Sequence, residues 1–197
     1  MSAIVPGQGD ALLIVDMQND FLPGGNLGVL DGDRVIAPVN ALAALYQARG
    51  LPVYASRDWH PADHCSFTAQ GGPWPPHCVA ASEGAAFSGA LRLPADAIVV
   101  SKADTQAQDA YSAFSGTGLA PAMRAAGITR VAVCGLATDY CILHTVLDGI
   151  AAGFEVLLAG EAIRAVEASA GDGDRAVARM LAQGAVPVRL SGGQLVP

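Results

Sequence analysis

The sequence is short of charge, of aromatic rings and of one cation in particular. Charged residues make up 15% of the 197 positions and aromatic ones 6%. Lysine is almost missing: of eleven cations ten are arginine, and Lys102 is the only lysine. The cations form no run and the net charge is −7, which argues against nucleic acid or an anionic membrane surface held through a basic patch. Long hydrophobic runs are also absent. The opening MSAIVPGQGD has no basic start, and the apolar run that follows, Ala11 to Val15, is too short for a secretory h-region or a membrane span. A cytoplasmic protein is expected. Cysteines number four, Cys65, Cys78, Cys134 and Cys141; without an export signal, and with enough chain to build a core, free thiols are expected rather than disulfides. Apolar residues, by contrast, reach 52%, which excludes disorder and suits one compact domain spanning residues 1–197. Small neutral or cationic molecules fit this balance as partners, and a homo-oligomer is compatible with it.

Short β-branched runs alternate with helical stretches. ALLIVD (11–16), PVYASR (52–57), AIVVSK (97–102), RVAVCG (130–135), EVLLAG (155–160) and the weaker AVPVRL (185–190) are unbroken apolar runs of strand length, as expected of strands buried on both faces of a parallel sheet. Between them, residues 33–50 place Val35, Val39, Leu42, Leu45 and Tyr46 at helical spacing, with Pro38 as a blemish. Residues 138–152 form a second helical stripe, with Thr138 as N-cap and Gly153 as stop. Asp172 to Gln183 reads as a third helix. The rhythm predicts a single-domain, three-layer α/β/α fold around a parallel sheet of about six strands, of the Rossmann-like kind, with ligands beyond the strand carboxyl ends. One stretch, about 58–93, breaks the rhythm, being rich in Pro, Gly, Ser and Ala; loops of that length inside compact domains are usually functional.

The chemistry-bearing residues fall at strand ends. Asp16 ends the first strand, Asp58 follows the second, Lys102 ends the third, and Cys141 lies just past the fourth in the first turn of a helix. In a parallel sheet those ends converge on one edge. Cys141 is the nucleophile candidate, because a helix N-terminus is expected to lower a thiol pKa. Cys134, inside VAVCG, reads as a small buried hydrophobe. No histidine follows at a spacing that suits a cysteine protease, so the base must be another group. Asp16 fits if burial raises its pKa, with Lys102 beside it to steady the thiolate; a structural ion pair between Asp16 and Lys102 is the competing reading.

The long loop carries RDWHPADHCSF (57–67) and PWPPHC (73–78). Residues two apart in extended chain face the same way, so Asp58 and His60 can aim at one point, and His77 completes two imidazoles and a carboxylate. That set suits a divalent metal, zinc first, with iron(II) and manganese as alternatives, and leaves positions open. His64 is either a fourth ligand or, the favoured reading, a donor behind the ligands. His144 reads as structural or pocket-lining. A closed Cys/His zinc site is disfavoured, since His64 and Cys65, like His77 and Cys78, are chain neighbours that point to opposite sides.

DMQNDF (16–21), the D-W-H of 58–60, WPPHC (74–78), the strand-ending lysine and GLATDYC (135–141) together resemble the nicotinamidases (pyrazinamidases) of the isochorismatase-like cysteine hydrolase superfamily. The likeness runs from residue 10 to about 160, with its motifs in the same order. It implies a catalytic Asp16, Lys102, Cys141 triad and a metal on Asp58, His60 and His77. It also implies a cis peptide at Leu136–Ala137, an oxyanion hole from the N–H groups of Ala137 and Cys141, and a ring pocket lined by Phe21, Leu27, Trp74 and Tyr111. The implied reaction is hydrolysis of nicotinamide to nicotinic acid and ammonia through a thioester, a step of NAD salvage, with pyrazinamide also accepted. An amidase for another small amide or carbamoyl substrate is the alternative. A catalytically silent interaction domain is disfavoured by the intact triad.

Overall fold

The computed structural model describes residues 3–197. Strands β1 (Asp10–Val15), β2 (Val53–Asp58), β3 (Ile98–Lys102), β4 (Arg130–Leu136), β5 (Glu155–Arg164), β6 (Val186–Ser191) and β7 (Gln194–Val196) form one sheet in the order β3-β2-β1-β4-β5-β6-β7. All neighbours are parallel except β6 and β7. The expected six parallel strands are therefore present. The seventh is a three-residue hairpin return after Gly192 and Gly193, both at positive φ, too short to announce itself by hydropathy.

Alternation along β1 sorts the core into two layers. Leu12 and Ile14 face α1 (Ile36–Ala48), where Val39, Leu42 and Tyr46 cover them. On the opposite face, Leu13 and Val15 meet α2 (Leu119–Ala125), α3 (Leu143–Ala151) and α4 (Asp172–Ala182) through Met123, Val146 and Met180. Every residue of β1 is buried, which is why its sequence reads as an unbroken apolar run. Pro38 does not disturb α1, because it occupies the first turn, where its missing N–H has no partner to lose.

The chain reverses its direction of winding at β1, which pairs with β2 on one side and β4 on the other. A crevice opens at such a switch point beyond the strand carboxyl ends. At the far ends of β1 and β4 Arg130 grips Asp10 through two 2.7 Å hydrogen bonds, a forked contact that fixes their register. Near the crevice the two strands come unusually close. A Cβ on Gly135 would lie 2.1 Å from the Val15 carbonyl oxygen, and its φ of +117° disfavours any side chain. Gly135→Ala is expected to destabilise the fold by more than about 2 kcal/mol, read as a lower denaturant midpoint; an unchanged midpoint would show that the strands can part at no cost.

Candidate active site

Four strand ends deliver the residues. Asp16 follows β1 directly, at a φ of +49°, and is fully buried. Its Oδ1 accepts a 2.7 Å hydrogen bond from the Ser56 hydroxyl of β2. Lys102 ends β3 beside Asp58 at the end of β2. Its buried ammonium lies 3.0 Å from Asp16 Oδ2, donates to Asp58 Oδ1 and to the Ala110 carbonyl at 3.2 Å, and stands 3.7 Å from Cys141 Sγ. Carboxylate oxygens of Asp16 and Asp58 and the Cys141 sulfur all lie within 4.8 Å of one another. An acid, an ammonium and a thiol from positions 125 residues apart thus meet at one point.

Cys141 sits in a wide π-helical turn, Thr138–Ile142, that leads from β4 into α3. The sequence reading of a helix capped by Thr138 is corrected here: Ala137 is the cap residue, in extended conformation, and no side chain caps the turn. The expected cis bond is present at Leu136–Ala137. A second correction concerns the thiol. Its pKa lies well above 9.0 rather than below it, because burial disfavours the thiolate; Lys102 works against that shift, while Asp16 and Asp58 add to it. Burial thus favours the protonated thiol, which would need a base before it could act as a nucleophile. Asp16 is suited to that task, since burial raises its pKa above the ordinary 3.8 even though Lys102 pulls the other way. Burial also acts to lower the pKa of Lys102, but Asp16 and Asp58 outweigh it and keep the ammonium charged. One cation facing two carboxylates leaves a surplus negative charge, which raises the proton affinity of Asp16.

Asp58 turns its other oxygen outward. Oδ2 lies 3.6 Å from His60 Nε2, and ligand atoms of Asp58, His60 and His77 fall within 4.8 Å of one another. His60 Nδ1 contacts the Ala103 carbonyl at 3.1 Å and His77 Nδ1 the Pro75 carbonyl at 2.8 Å. A carbonyl oxygen only accepts, so each Nδ1 carries the proton and each Nε2 presents a lone pair. Among the described residues, the buried side-chain nitrogen and oxygen atoms without a hydrogen-bond partner are His60 Nε2 and Asp16 Oδ2. A buried lone pair with no donor is costly, and a divalent ion satisfies it; carbonyl-anchored imidazoles beside a carboxylate are the usual frame of such an ion. The residues present fit a metal.

His64 lies behind this set. Its ring stacks on His60 at 4.2 Å, while Nδ1 meets the Ser66 hydroxyl at 2.7 Å and Nε2 the Gln108 carbonyl at 3.1 Å. Both nitrogens are occupied by protein, in keeping with a supporting rather than a ligating residue. Backbone bonds hold the loop in shape: His60 N–H donates to the Cys78 carbonyl, and Ala80 N–H to that of His60. Gln18 clamps Asp58 from below, its amide nitrogen donating to the Asp58 carbonyl at 2.7 Å and its amide oxygen accepting from the Asp58 N–H at 2.8 Å.

A cavity of about 250 Å³ opens over Cys141, Asp58 and His77, at the small end for ligand pockets. Phe21, Leu27, Trp74 and Tyr111 line it, as expected, and Ala137 forms part of its floor. Trp74 donates its indole N–H to the Tyr111 hydroxyl at 3.1 Å, so the two rings brace each other. Tyr140 and Val166 also line it and were not anticipated. Tyr140, next to Cys141 in the chain, packs edge-on against Trp74 at 5.5 Å. Val166 is brought in from beyond β5 by Asp139, whose carboxylate accepts from the Val166 and Glu167 N–H groups. His144 is exposed behind Tyr111 and is not among the lining residues. All four cysteines are free thiols, Cys134 fully buried in the sheet.

An α/β/α sheet with a thiol, a carboxylate and a lysine at its switch point, beside a two-histidine, one-carboxylate cluster, defines a cysteine hydrolase with a metal centre. The chain belongs to the isochorismatase domain family, whose model matches residues 10–191. It is 40% identical to a nicotinamidase of Escherichia coli over 196 residues, 89% of this chain and 92% of that protein. Among solved structures it is similar to a pyrazinamidase of Pyrococcus horikoshii in complex with zinc, with a TM-score of 0.89, 43% identity and coverage of 92% and 99%. It is also similar to PnC1 from L. infantum in complex with nicotinate, with a TM-score of 0.88, 37% identity and 96% coverage of each chain.

Proposed function

We infer that the chain is an amide hydrolase that converts nicotinamide to nicotinic acid and ammonia. The observation that carries this reading is the cavity itself: a ring-sized, aromatic-walled space with Cys141 on one side and the Asp58, His60, His77 cluster on another. A flat heteroaromatic amide fills it, its ring between Phe21, Leu27, Trp74 and Tyr111 and its carboxamide toward the sulfur. Asp58, His60 and His77 would hold a divalent ion, for which zinc suits two imidazoles and a carboxylate. When bound, that ion supplies an open coordination position that a pyridine nitrogen can fill.

The remaining chemistry belongs to this chain. Asp16, whose carboxylate lies within 4.8 Å of the Cys141 sulfur, takes the proton from Cys141 as the sulfur attacks the carboxamide carbon. The Lys102 ammonium, 3.7 Å from the sulfur, steadies the thiolate as it forms. The backbone N–H groups of Ala137 and Cys141 are assigned to the tetrahedral oxyanion, a contribution of about 3–4 kcal/mol per donor. Asp16 then returns its proton to the departing amine, which leaves as ammonia. Water, deprotonated by the same carboxylate, hydrolyses the thioester to nicotinic acid and restores the thiol. Pyrazinamide, with the same carboxamide on a diazine ring, satisfies the same contacts.

Incubation of the reduced, zinc-loaded enzyme with nicotinamide is expected to yield ammonia and nicotinic acid in equal amounts; absence of both would overturn the assignment. Removal of the ion by a chelator is expected to lower kcat/KM at least about tenfold, as the loss of one positioning contact implies, and added zinc to restore it. Full activity in a sample shown by elemental analysis to be metal-free would contradict the ligand assignment. None of the helices among the described residues is long and apolar enough to cross a membrane.

A further inference from the structure

The mechanism leaves one buried carboxylate of the first motif unused. Asp20 lies in the short 3-10 turn Asn19–Phe21 and is 7% exposed. Its Oδ2 accepts a 2.7 Å hydrogen bond from the Cys78 N–H, and its Oδ1 accepts one of 3.2 Å from the Asn26 N–H. Cys78 follows His77 of the metal cluster, and Asn26 precedes Leu27 of the ring wall. One carboxylate therefore ties together two segments that are 52 positions apart and belong to no helix or strand, the second being paired by a single bridge to His60. Two further bonds close the frame: Leu27 N–H donates to the Asp20 carbonyl at 2.9 Å, and the Asn26 side-chain amide donates to the Pro76 carbonyl at 2.9 Å.

The space around Asp20 is made for this contact. A Cβ on Gly84 would lie 2.1 Å from Asp20 Oδ2, so only glycine leaves the carboxylate where it is. Asp20 N–H donates to the Gly84 carbonyl at 3.0 Å, which holds the turn against that glycine. Two backbone N–H groups demand two acceptors. Aspartate supplies both, whereas an asparagine of the same shape has one and turns an NH₂ group against the second N–H.

We propose that Asp20 is a positioning residue that sets His77 and the ring wall at a fixed separation, so that one substrate ring meets the metal cluster and the pocket at once. The inference rests on the reading of Asp58, His60 and His77 as metal ligands. It predicts that metal affinity and substrate affinity fall together while the nucleophile is untouched, because Asp20 is not among the groups that contact Asp16, Lys102 or Cys141.

The test is Asp20→Asn, with zinc affinity measured by competition with a chromogenic chelator, KM and kcat for nicotinamide, and the rate of iodoacetamide alkylation read on the Cys141 peptide. Expected are a zinc Kd raised about ten- to hundredfold, the range seen when groups that orient metal ligands are removed, and a KM raised at least about tenfold. Alkylation should stay within about twofold of the parent, since the sulfur's surroundings are intact. Zinc Kd and KM both within twofold of the parent would overturn the proposal, and so would a rise in both accompanied by an alkylation rate changed well beyond twofold, which marks general loosening. If Asp20→Asn does not fold, Gly84→Ala displaces the same carboxylate and is held to the same outcomes. The parent is measured alongside: a parent that binds zinc and turns over nicotinamide while the variant matches it removes only the role of Asp20, whereas a parent that binds no zinc removes the ligand reading as well.

Discussion

Lys102→Arg is expected to lower kcat/KM for nicotinamide by at least about a hundredfold, or roughly 2.7 kcal/mol of transition-state stabilisation, although both side chains carry one positive charge. Lys102 is 1% exposed, and its ammonium touches two carboxylates, a carbonyl and a sulfur at once. A compact centre with freely rotating donors reaches four partners in different directions, and a planar guanidinium does not. The larger group must also enter a packed space, where overfilling typically costs about 1–3 kcal/mol. A lower melting temperature should accompany the loss of rate. Near-parental kinetics would mean that the lysine serves as a charge alone. Among ten arginines, the one lysine of the chain would then be a matter of composition.

Cys141→Ala carries the larger expected effect on rate. With no nucleophile to form an acyl-enzyme, turnover should fall by about five orders of magnitude or more, the scale on which removal of the nucleophile disables enzymes of this logic. Nicotinamide binding, measured by calorimetry on the zinc-loaded protein, should change by less than about threefold, because the ring walls Phe21, Leu27, Trp74 and Tyr111 are unaltered. Turnover retained within a hundredfold would exclude covalent catalysis. Loss of binding in step with turnover would instead point to collapse of the pocket.

Much of this site can be read along the chain, for a topological reason. Asp16, Asp58, Lys102 and Cys141 close or follow apolar runs, and a parallel sheet gathers such ends on one edge whatever their separation in sequence. The D-x-H spacing of Asp58 and His60 is equally local, because extended chain puts both on one side. What the sequence does not carry is the environment. Proximity to a helix start suggests a lowered thiol pKa for Cys141, but the turn buries the sulfur, and desolvation outweighs the favourable charge beside it.

Long-range contacts are the other hidden layer. Val166 reaches the cavity only because Asp139, 27 positions earlier, holds its backbone, and nothing in the composition of 165–171 signals it. Gln18 and Asp20 stand in plain view within DMQNDF, yet their partners are backbone groups of Asp58, Cys78 and Asn26, which have no sequence signature. In the fold itself, the central strands β1 and β4 were legible because burial on both faces removes any polar alternation, whereas β3, expected to be buried as well, is an edge strand that exposes Ile98 and Val99 and was legible by its β-branched composition alone. Strand β7 and helix α2 were not, the first being three residues long and the second seven, lengths at which periodicity has no room to repeat.

The central claim is that Cys141 forms a thioester with the acyl group before water does. Hydroxylamine competition tests it directly: two substrates with the same acyl group and different leaving groups, nicotinamide and methyl nicotinate, are each turned over in the presence of hydroxylamine, and the ratio of hydroxamate to nicotinic acid is measured. A shared acyl-enzyme has no memory of its leaving group, so one ratio is predicted for both substrates, with hydroxamate formation lost in Cys141→Ala. Ratios that differ between the amide and the ester, or hydroxamate that persists without the thiol, would contradict the account.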